Sequence, residues 1–418
     1  IGCFILFAIV VGVAAGFFPA LFFASINAIQ VLKNSANTKL FRKVTMRKVL
    51  VVFQYCISIM LITGTLIIYK QYKHFLAFDL GYSTENILNI RLQGNKSELL
   101  KKELNELPEV KQISKSALIT SIGSVWGTLM KNPNNPEDSA GIRFNKVDEN
   151  YILLHEHHLL AGRNFLPKSD SAKESEVIVN QQVLKRFNIG DQDPTKAIGE
   201  MVEIDQQDLQ IIGVIKDFQY GRANNESDEK VVLRYSNHDI EYLNVKIRPG
   251  DLPATYEKIK TIWKKIDPIH PLEAKFYDDE IEHAFIGLSA SIKLAGTLAF
   301  LAICIASLGL LGMVVFTTET RLKEISIRKV LGASEGKLIY LLGKGFILLL
   351  ALATIIALPL TYLFFDQVVL QKMANHQPLN LTSGLIGVGA VMVVAVIMIG
   401  TQTLKVARAN PAEVLKNE

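Results

Sequence analysis

Charge is missing from five long stretches of this 418-residue chain: residues 1–32, 49–69, 294–318, 345–365 and 382–404 hold no Asp, Glu, Lys or Arg. Charge is expensive in hydrocarbon, and each run reaches the roughly 20 residues that a helix needs to cross about 30 Å of it. The runs lack His as well, which argues against an ion or proton relay through them, and so against a conducting pore or secondary transporter. Cysteine is scarce. Cys3, Cys56 and Cys304 all fall inside apolar runs, so no disulfide staples the long charged segment between the second and third runs. No paired nucleophile and base, and no metal triad, stands out, which sets aside a membrane enzyme such as a protease.

Acid is absent from 33–48, where Lys33, Lys39, Arg42, Lys43, Arg47 and Lys48 cluster. The 319–337 loop and the 405–418 tail are also net basic, and basic segments between spans stay in the cytoplasm. Alternation then puts 71–285 and 366–381 outside. In 71–285 acidic residues outnumber basic ones, 34 against 27. The formal charge of +5 and the pI of 8.8 thus express membrane topology, not nucleic-acid binding.

The expected order is a transmembrane helix (1–32), a basic cytoplasmic linker (33–48), a second span (49–70) and an extracytoplasmic α+β core (71–285). A stalk and span (286–318), a cytoplasmic coupling loop (319–337) and a span (338–365) follow, then an outer loop (366–381), a last span (382–404) and the tail. The fold class is a polytopic α-helical membrane protein with a large α+β extracytoplasmic domain. No basic leader precedes the first run, which is therefore not read as a signal peptide. Val31-Leu32-Lys33-Asn34 after the first run and Val414-Leu415-Lys416-Asn417 after the last are the same four residues. The echo is read as a duplication, with 1–32 closing a preceding half and 49–418 forming a second one.

Within the exported segment, strand patterns at 87–92 and 242–247 are each followed by a helical run, 97–107 and 253–266, and by a returning strand near 112–120 and 272–277. Two β-α-β units with an insertion over about 120–230 are expected; the insertion carries short strands such as 177–179 and 209–214. Asp278–Lys293 reads as a helix running into the next span, either a continuous stalk or a plain extension of it. Pro19 and Pro359 are candidate kinks, and Gly12, Gly16, Gly309 and Gly312 candidate points of close helix contact.

The charged insert between the third and fourth spans has a helical pattern of its own. Leu322, Ile325 and Val330, with Ile327 and Leu331 beside them, make one apolar side, while Arg321, Lys323, Glu324, Arg328 and Lys329 stay wet. Its wording, Arg321-x-Lys323-Glu324-Ile325-x-Ile327-Arg328-Lys329-x-Leu331-Gly332-Ala333-Ser334, resembles the cytoplasmic signature of FtsX/MacB-type permeases of ABC transporters. Ala161-Gly162-Arg163-Asn164-Phe165, Val177-Ile178-Val179-Asn180, Ala197-Ile198-Gly199, Ile211 to Phe218, Trp263 to Pro268 and Phe276-Tyr277-Asp278 follow in the order of that family's periplasmic core domain.

The resemblance implies the C-terminal half of a two-half permease in the inner (plasma) membrane, its core divided into porter-like and sabre-like parts. It implies that Glu319, Arg321, Lys323, Glu324, Arg328, Lys329 and Gly332 meet a separate cytoplasmic ATPase, which would bind ATP and Mg while this chain carries no cofactor. ATP hydrolysis would then drive a shape change outside, exporting a drug, peptide or lipoprotein. Implied partners are that ATPase, a periplasmic adaptor or extracytoplasmic substrate protein, membrane lipid and a second permease half in a dimer or pseudo-dimer, with no nucleic acid. The alternative is an FtsX-like regulatory module acting on cell-wall hydrolases or a sensor kinase.

Other motifs carry blander expectations. Gly332 to Lys337 is one residue short of a phosphate loop, with Leu338 where Ser or Thr would hold magnesium. His155-Glu156-His157-His158 is expected to be a polar surface patch rather than a metal site. Asp217 and Asp278 follow apolar strands and are expected to cap or turn the chain.

Overall fold

The computed structural model describes residues 36–133, 135–169, 173–225 and 229–408, together with positions 2, 5–6, 9–10 and 12–13. Most of the expected first span, both Val-Leu-Lys-Asn echoes and residues 409–418 lie outside them. The chain divides into two compact units: 1–63, 297–361 and 382–418 form one, 64–296 and 362–381 the other.

Four helices among the described residues are long and apolar enough to cross a membrane: Arg47–Leu76, Ile286–Thr320, Gly336–Lys372 and Leu381–Lys405. Each contains one charge-free run. The first belongs to a helix that starts at Ala36, so most of the stretch expected as a linker is helical. Lys and Arg are good helix formers, and no Pro or Gly interrupts 36–48. In lipid, close packing rather than hydrophobicity holds helices together. The core of the first unit accordingly places fully buried Ala306, Ala353, Ala357 and Ala395 among Tyr55, Ile59, Leu310 and Val391. Gly309 permits close approach, since a Cβ there would lie 2.5 Å from Gln54 Oε1. Gly12 and Gly312 face open space, and Gly16 lies outside the described residues. The helix Glu335–Phe364 continues through Pro359 before passing into a π turn at Phe365–Val369.

The second unit, the one expected to be exported, is built on one sheet of eleven strands among the described residues. In chain order these are β1 (Ile87–Arg91), β2 (Val110–Ser116), β3 (Trp126–Asn132), β4 (Asn135–Val147), β5 (Leu159–Gly162), β6 (Glu176–Asn180), β7 (Met201–Ile204), β8 (Gln207–Ile215), β9 (Val231–Tyr235), β10 (Tyr242–Ile247) and β11 (Ala274–Phe276). The strands β11-β1-β10-β2 run side by side, each antiparallel to its neighbour. Helix Ser97–Asn105 connects β1 to β2, and helix Leu252–Ile266 connects β10 to β11, a split β-α-β arrangement. Alternation explains the packing: Leu88, Ile90, Leu243 and Val245 turn to one face and bury Leu100, Leu104, Ile259 and Trp263 of the two helices.

The insertion closes on itself. β4, β3, β7, β8, β6 and β9 pair in turn, and β9 returns to β4 in parallel. A closed ring leaves no bare strand edge. One cluster draws Met130, Ile142, Val179, Ile204, Leu209 and Val232 from all six strands. A single pair, Ser116 with Val147, joins this ring to the four-stranded part.

The helix expected to run from Asp278 into the span is interrupted. Tyr277–Ala284 ends, Phe285 lies between (φ −101, ψ 15), and Ile286–Thr320 begins. The buried Phe285 ring stacks on Phe75 with centroids 5.7 Å apart and planes 8° from parallel. Anchoring that ring takes its residue out of helical geometry.

Gly162 has φ +80, and a Cβ there would lie 2.2 Å from the Ile212 carbonyl oxygen. Gly162→Ala is therefore expected to cost at least about 2 kcal/mol in the exported unit. Both tryptophans, Trp126 and Trp263, lie in that unit, so tryptophan fluorescence during unfolding measures the loss.

Candidate functional site

The candidate coupling segment begins where helix Ile286–Thr320 ends. The hydroxyls of Thr317, Thr318 and Thr320 donate back to the carbonyls of Met313, Val314 and Phe316 at 2.7, 2.9 and 2.9 Å, which occupies them within the last turns. Arg321 then leaves helical geometry (φ −109, ψ 6), and a short helix runs Leu322–Val330. Glu324 in its first turn and Arg328 and Lys329 in its last complement the helix dipole. The end is a Schellman motif: Gly332 N–H donates to Lys329 O and Ala333 N–H to Arg328 O, both at 3.0 Å. Gly332 takes the left-handed conformation the motif needs, φ +89, with open space around it.

Burial corrects the expected apolar side. Ile325 is buried with Leu338 and Leu342 of the following helix, and Ala333 packs beside them. Ile327, Val330 and Leu331 are 46%, 68% and 80% exposed. They stand at i, i+3 and i+4, one face of a helix turned away from Ile325. The short helix is thus pinned through Ile325 and presents a second apolar face outward. Which face is pinned depends on Leu338 and Leu342, which the local pattern does not contain.

Among the described residues picked out by resemblance, Glu324 and Arg328 come together. Arg328 Nη2 and Glu324 Oε1 are 2.6 Å apart, about half exposed. Glu319 lies exposed in the last turn before the break and Arg321 exposed within it, while Lys329 is half-buried. Lys323 lies in the short helix, its side chain outside the described residues.

The histidine cluster is not the expected surface patch. His155 and His157 are 1% and 7% exposed, and only His158 and Glu156 of the four face solvent. Tyr82 stacks on His157 with centroids 5.1 Å apart, Phe218 meets it edge-on at 4.7 Å, and Tyr151 lies 4.5 Å from His155. These rings come from distant parts of the chain, so local sequence did not reveal the enclosure. His155 Nδ1 donates to Ser83 O at 3.1 Å. Burial pushes His155 down to about 4 and His157 down to about 3. Among the described residues no three His, Cys, Asp or Glu side chains converge as metal ligands.

Asp217 Oδ1 accepts from Gln182 N–H and Oδ2 from Gln182 Nε2, both at 3.0 Å, which caps helix Gln181–Phe187 from outside. Asp278 stands in the first turn of Tyr277–Ala284 and accepts from Thr84 Oγ1 at 2.9 Å. Asp217 thus acts as a cap, as expected, whereas Asp278 ties its helix to the distant Thr84 instead of capping or turning the chain.

A family model described as the MacB-like periplasmic core domain matches residues 50–262, just over half the chain, and one described as the FtsX-like permease C-terminal matches 296–411. The uncharacterized ABC transporter permease YknZ of Bacillus subtilis is 22% identical over 211 residues, 49% of this chain and 52% of that protein. The pyoverdine export ATP-binding/permease protein PvdT of Pseudomonas syringae is 23% identical over 255 residues, 56% and 35% of the two chains. The macrolide export ATP-binding/permease protein MacB of Neisseria gonorrhoeae is 22% identical over 201 residues, 46% and 31%. The match thus spans about half of the first relative and about a third of the other two. Among solved structures, the periplasmic region of MacB from Actinobacillus actinomycetemcomitans aligns with a TM-score of 0.35 at 11% identity, covering 47% of this chain and 91% of that one.

Two outcomes are expected. Gly332→Ala should cost about 1 kcal/mol for the left-handed backbone alone, read as roughly five-fold faster amide exchange at Gly332 and Ala333. The histidines have folded pKa values below the unfolded value near 6.5, so their contribution is complete above pH 6.5 and is lost as pH falls toward 4 and then 3. Each gives a slope of up to about 1.4 kcal/mol per pH unit. Buried Asp148, pushed up to about 6, opposes them between its ordinary value near 3.8 and 6. Comparing wild type with His157→Phe cancels Asp148: the variant should lose less stability between pH 6.5 and 4, measured by urea unfolding on tryptophan fluorescence.

Proposed function

Because the chain belongs to the ABC-transporter permeases of the MacB/FtsX type, membrane proteins with an extracytoplasmic domain, we propose that it converts ATP hydrolysis by a separate cytoplasmic ATPase into a change of shape in its exported domain. The observation that carries this reading is the short helix Leu322–Val330, pinned through Ile325 between two membrane-crossing helices with Ile327, Val330 and Leu331 exposed. An apolar face with a charged rim fits a partner protein better than water. In this account the ATPase receives Ile327, Val330 and Leu331 in a groove. Glu319, Arg321, Lys323, Glu324, Arg328 and Lys329 form the rim, and Gly332 ends the helix. ATP and Mg belong to the partner.

The chain is assigned to the inner (plasma) membrane, paired with a second permease half. The split β-α-β part and the closed ring support the porter-like and sabre-like division. The ring stands as the place where a periplasmic adaptor or substrate protein would bind. The names of PvdT and MacB speak of pyoverdine and macrolide export. For this chain the corresponding role is export of a drug, peptide or lipoprotein that is already outside the membrane core, since the charge-free runs offer it no Asp, Glu, Lys, Arg or His along the way.

Reversing Glu324 and Arg328 together preserves the i, i+4 pair while inverting the rim. The double variant is expected to retain at least about ten-fold less ATPase in a pull-down from membranes, equivalent to about 1.4 kcal/mol, with membrane insertion unchanged. Val330→Asp should act in the same direction through the apolar face. Undiminished ATPase retention in both variants sinks the assignment.

A further inference from the structure

The connection between the last two membrane-crossing helices, expected as a plain outer loop at 366–381, is hydrogen-bonded into the exported unit. Asn375 sits at its centre with a left-handed backbone, φ 54, which Asn adopts more readily than most residues. Its amide donates to the carbonyls of Ala223 and Asn225, both at 3.0 Å. The N–H of Ala374 donates to the carbonyl of Asn224, also at 3.0 Å. Three consecutive carbonyls of one turn are thus held by two neighbouring residues.

From the other side, buried Gln71 clasps Gln377. Its side-chain amide donates to the Gln377 carbonyl at 2.7 Å and accepts from the Gln377 N–H at 2.9 Å. His74 Nε2 donates to the Asn375 carbonyl at 3.0 Å. Met373 packs with the cluster of Tyr72, Phe75 and Phe285. Phe365 lies so close to Gly64 that a Cβ there would meet its ring at 2.8 Å.

The turn held by Asn375 leads directly into the closed ring. Tyr220 is fully buried; its hydroxyl donates to the Phe144 carbonyl on β4 at 2.6 Å and accepts from the Trp126 N–H on β3 at 3.2 Å. A connecting loop ordinarily gives its backbone groups to water. This one gives them to the exported domain, so it cannot shift without pulling on the turn.

We propose that residues 365–377 form a strap through which movement of the last two membrane-crossing helices reaches the 219–225 turn and, through Tyr220, strands β3 and β4. Asn375 is its positioning residue. The strap's hydrogen bonds reach the ring by way of the 219–225 turn, not through the break at Phe285 that precedes helix Ile286–Thr320. The inference rests on the ATP-driven transmission proposed above.

The test uses the full chain with its ATPase in lipid nanodiscs and compares amide exchange with and without ATP and magnesium. Asn375→Gly keeps the left-handed backbone and removes the amide; Gln71→Ala removes the second clasp. In both variants the ATP-dependent change in exchange at 126–132 and 219–225 is expected to fall at least about five-fold, while ATP turnover stays within about two-fold of wild type. Slower turnover is the mark of a folding defect, whereas a strap defect spares it. Variants that keep the full wild-type change overturn the strap while leaving ATP-driven transmission intact. A wild type with no ATP-dependent change at all overturns the transmission reading and the strap with it.

Discussion

The cost of placing charge in hydrocarbon orders everything else in this molecule. It empties four described helices of Asp, Glu, Lys and Arg over their central stretches and drives those residues into the extracytoplasmic unit and the short segments that link the spans. It also removes the hydrophobic effect as a glue between helices, because lipid is as apolar as they are. Small residues at the contacts take over that task, with Ala306, Ala353, Ala357 and Ala395 fully buried. The polar groups buried among these helices, such as Ser58, Thr63, Ser307 and Thr403, are uncharged.

Between the helices Ile286–Thr320 and Gly336–Lys372 the same constraint leaves only a short charged segment. The short helix Leu322–Val330 uses that length fully. Its start is marked by the break at Arg321, its end by Gly332, and its orientation by Ile325. On the outer side the exported unit combines a split β-α-β part with a ring closed by the parallel pairing of β9 with β4. A ring with no open edge resists deformation strand by strand and responds as a body, which suits a part moved from its margin.

Much of this was legible in the sequence. The strand at 242–247 has the bounds the alternation suggested, and helix Leu252–Ile266 differs by one residue from the helical run. Gly162 and Gly213, both inside the stretches that resemble the family's core domain, pair with each other across β5 and β8. What escaped reading depends on partners far away in the chain. The outward face of the short helix could not be chosen without Leu338 and Leu342. The burial of His155 and His157 needed Tyr82, Phe218 and Tyr277. The break at Phe285 carries no Gly or Pro and follows from a ring stack with Phe75. Asn375 looked like any loop asparagine until the turn at 223–225 was brought beside it.

The central claim is that this chain transmits work done by another polypeptide. Purification of the tagged full-length protein from its native membranes, followed by an ATP-hydrolysis assay before and after stripping associated proteins, tests it most directly. The account predicts that a separate ATPase co-purifies, that hydrolysis leaves with it, and that the stripped chain turns over no ATP. Hydrolysis that stays with the stripped chain, or a purified protein with no ATPase beside it, would contradict the account and favour a self-contained receptor or scaffold.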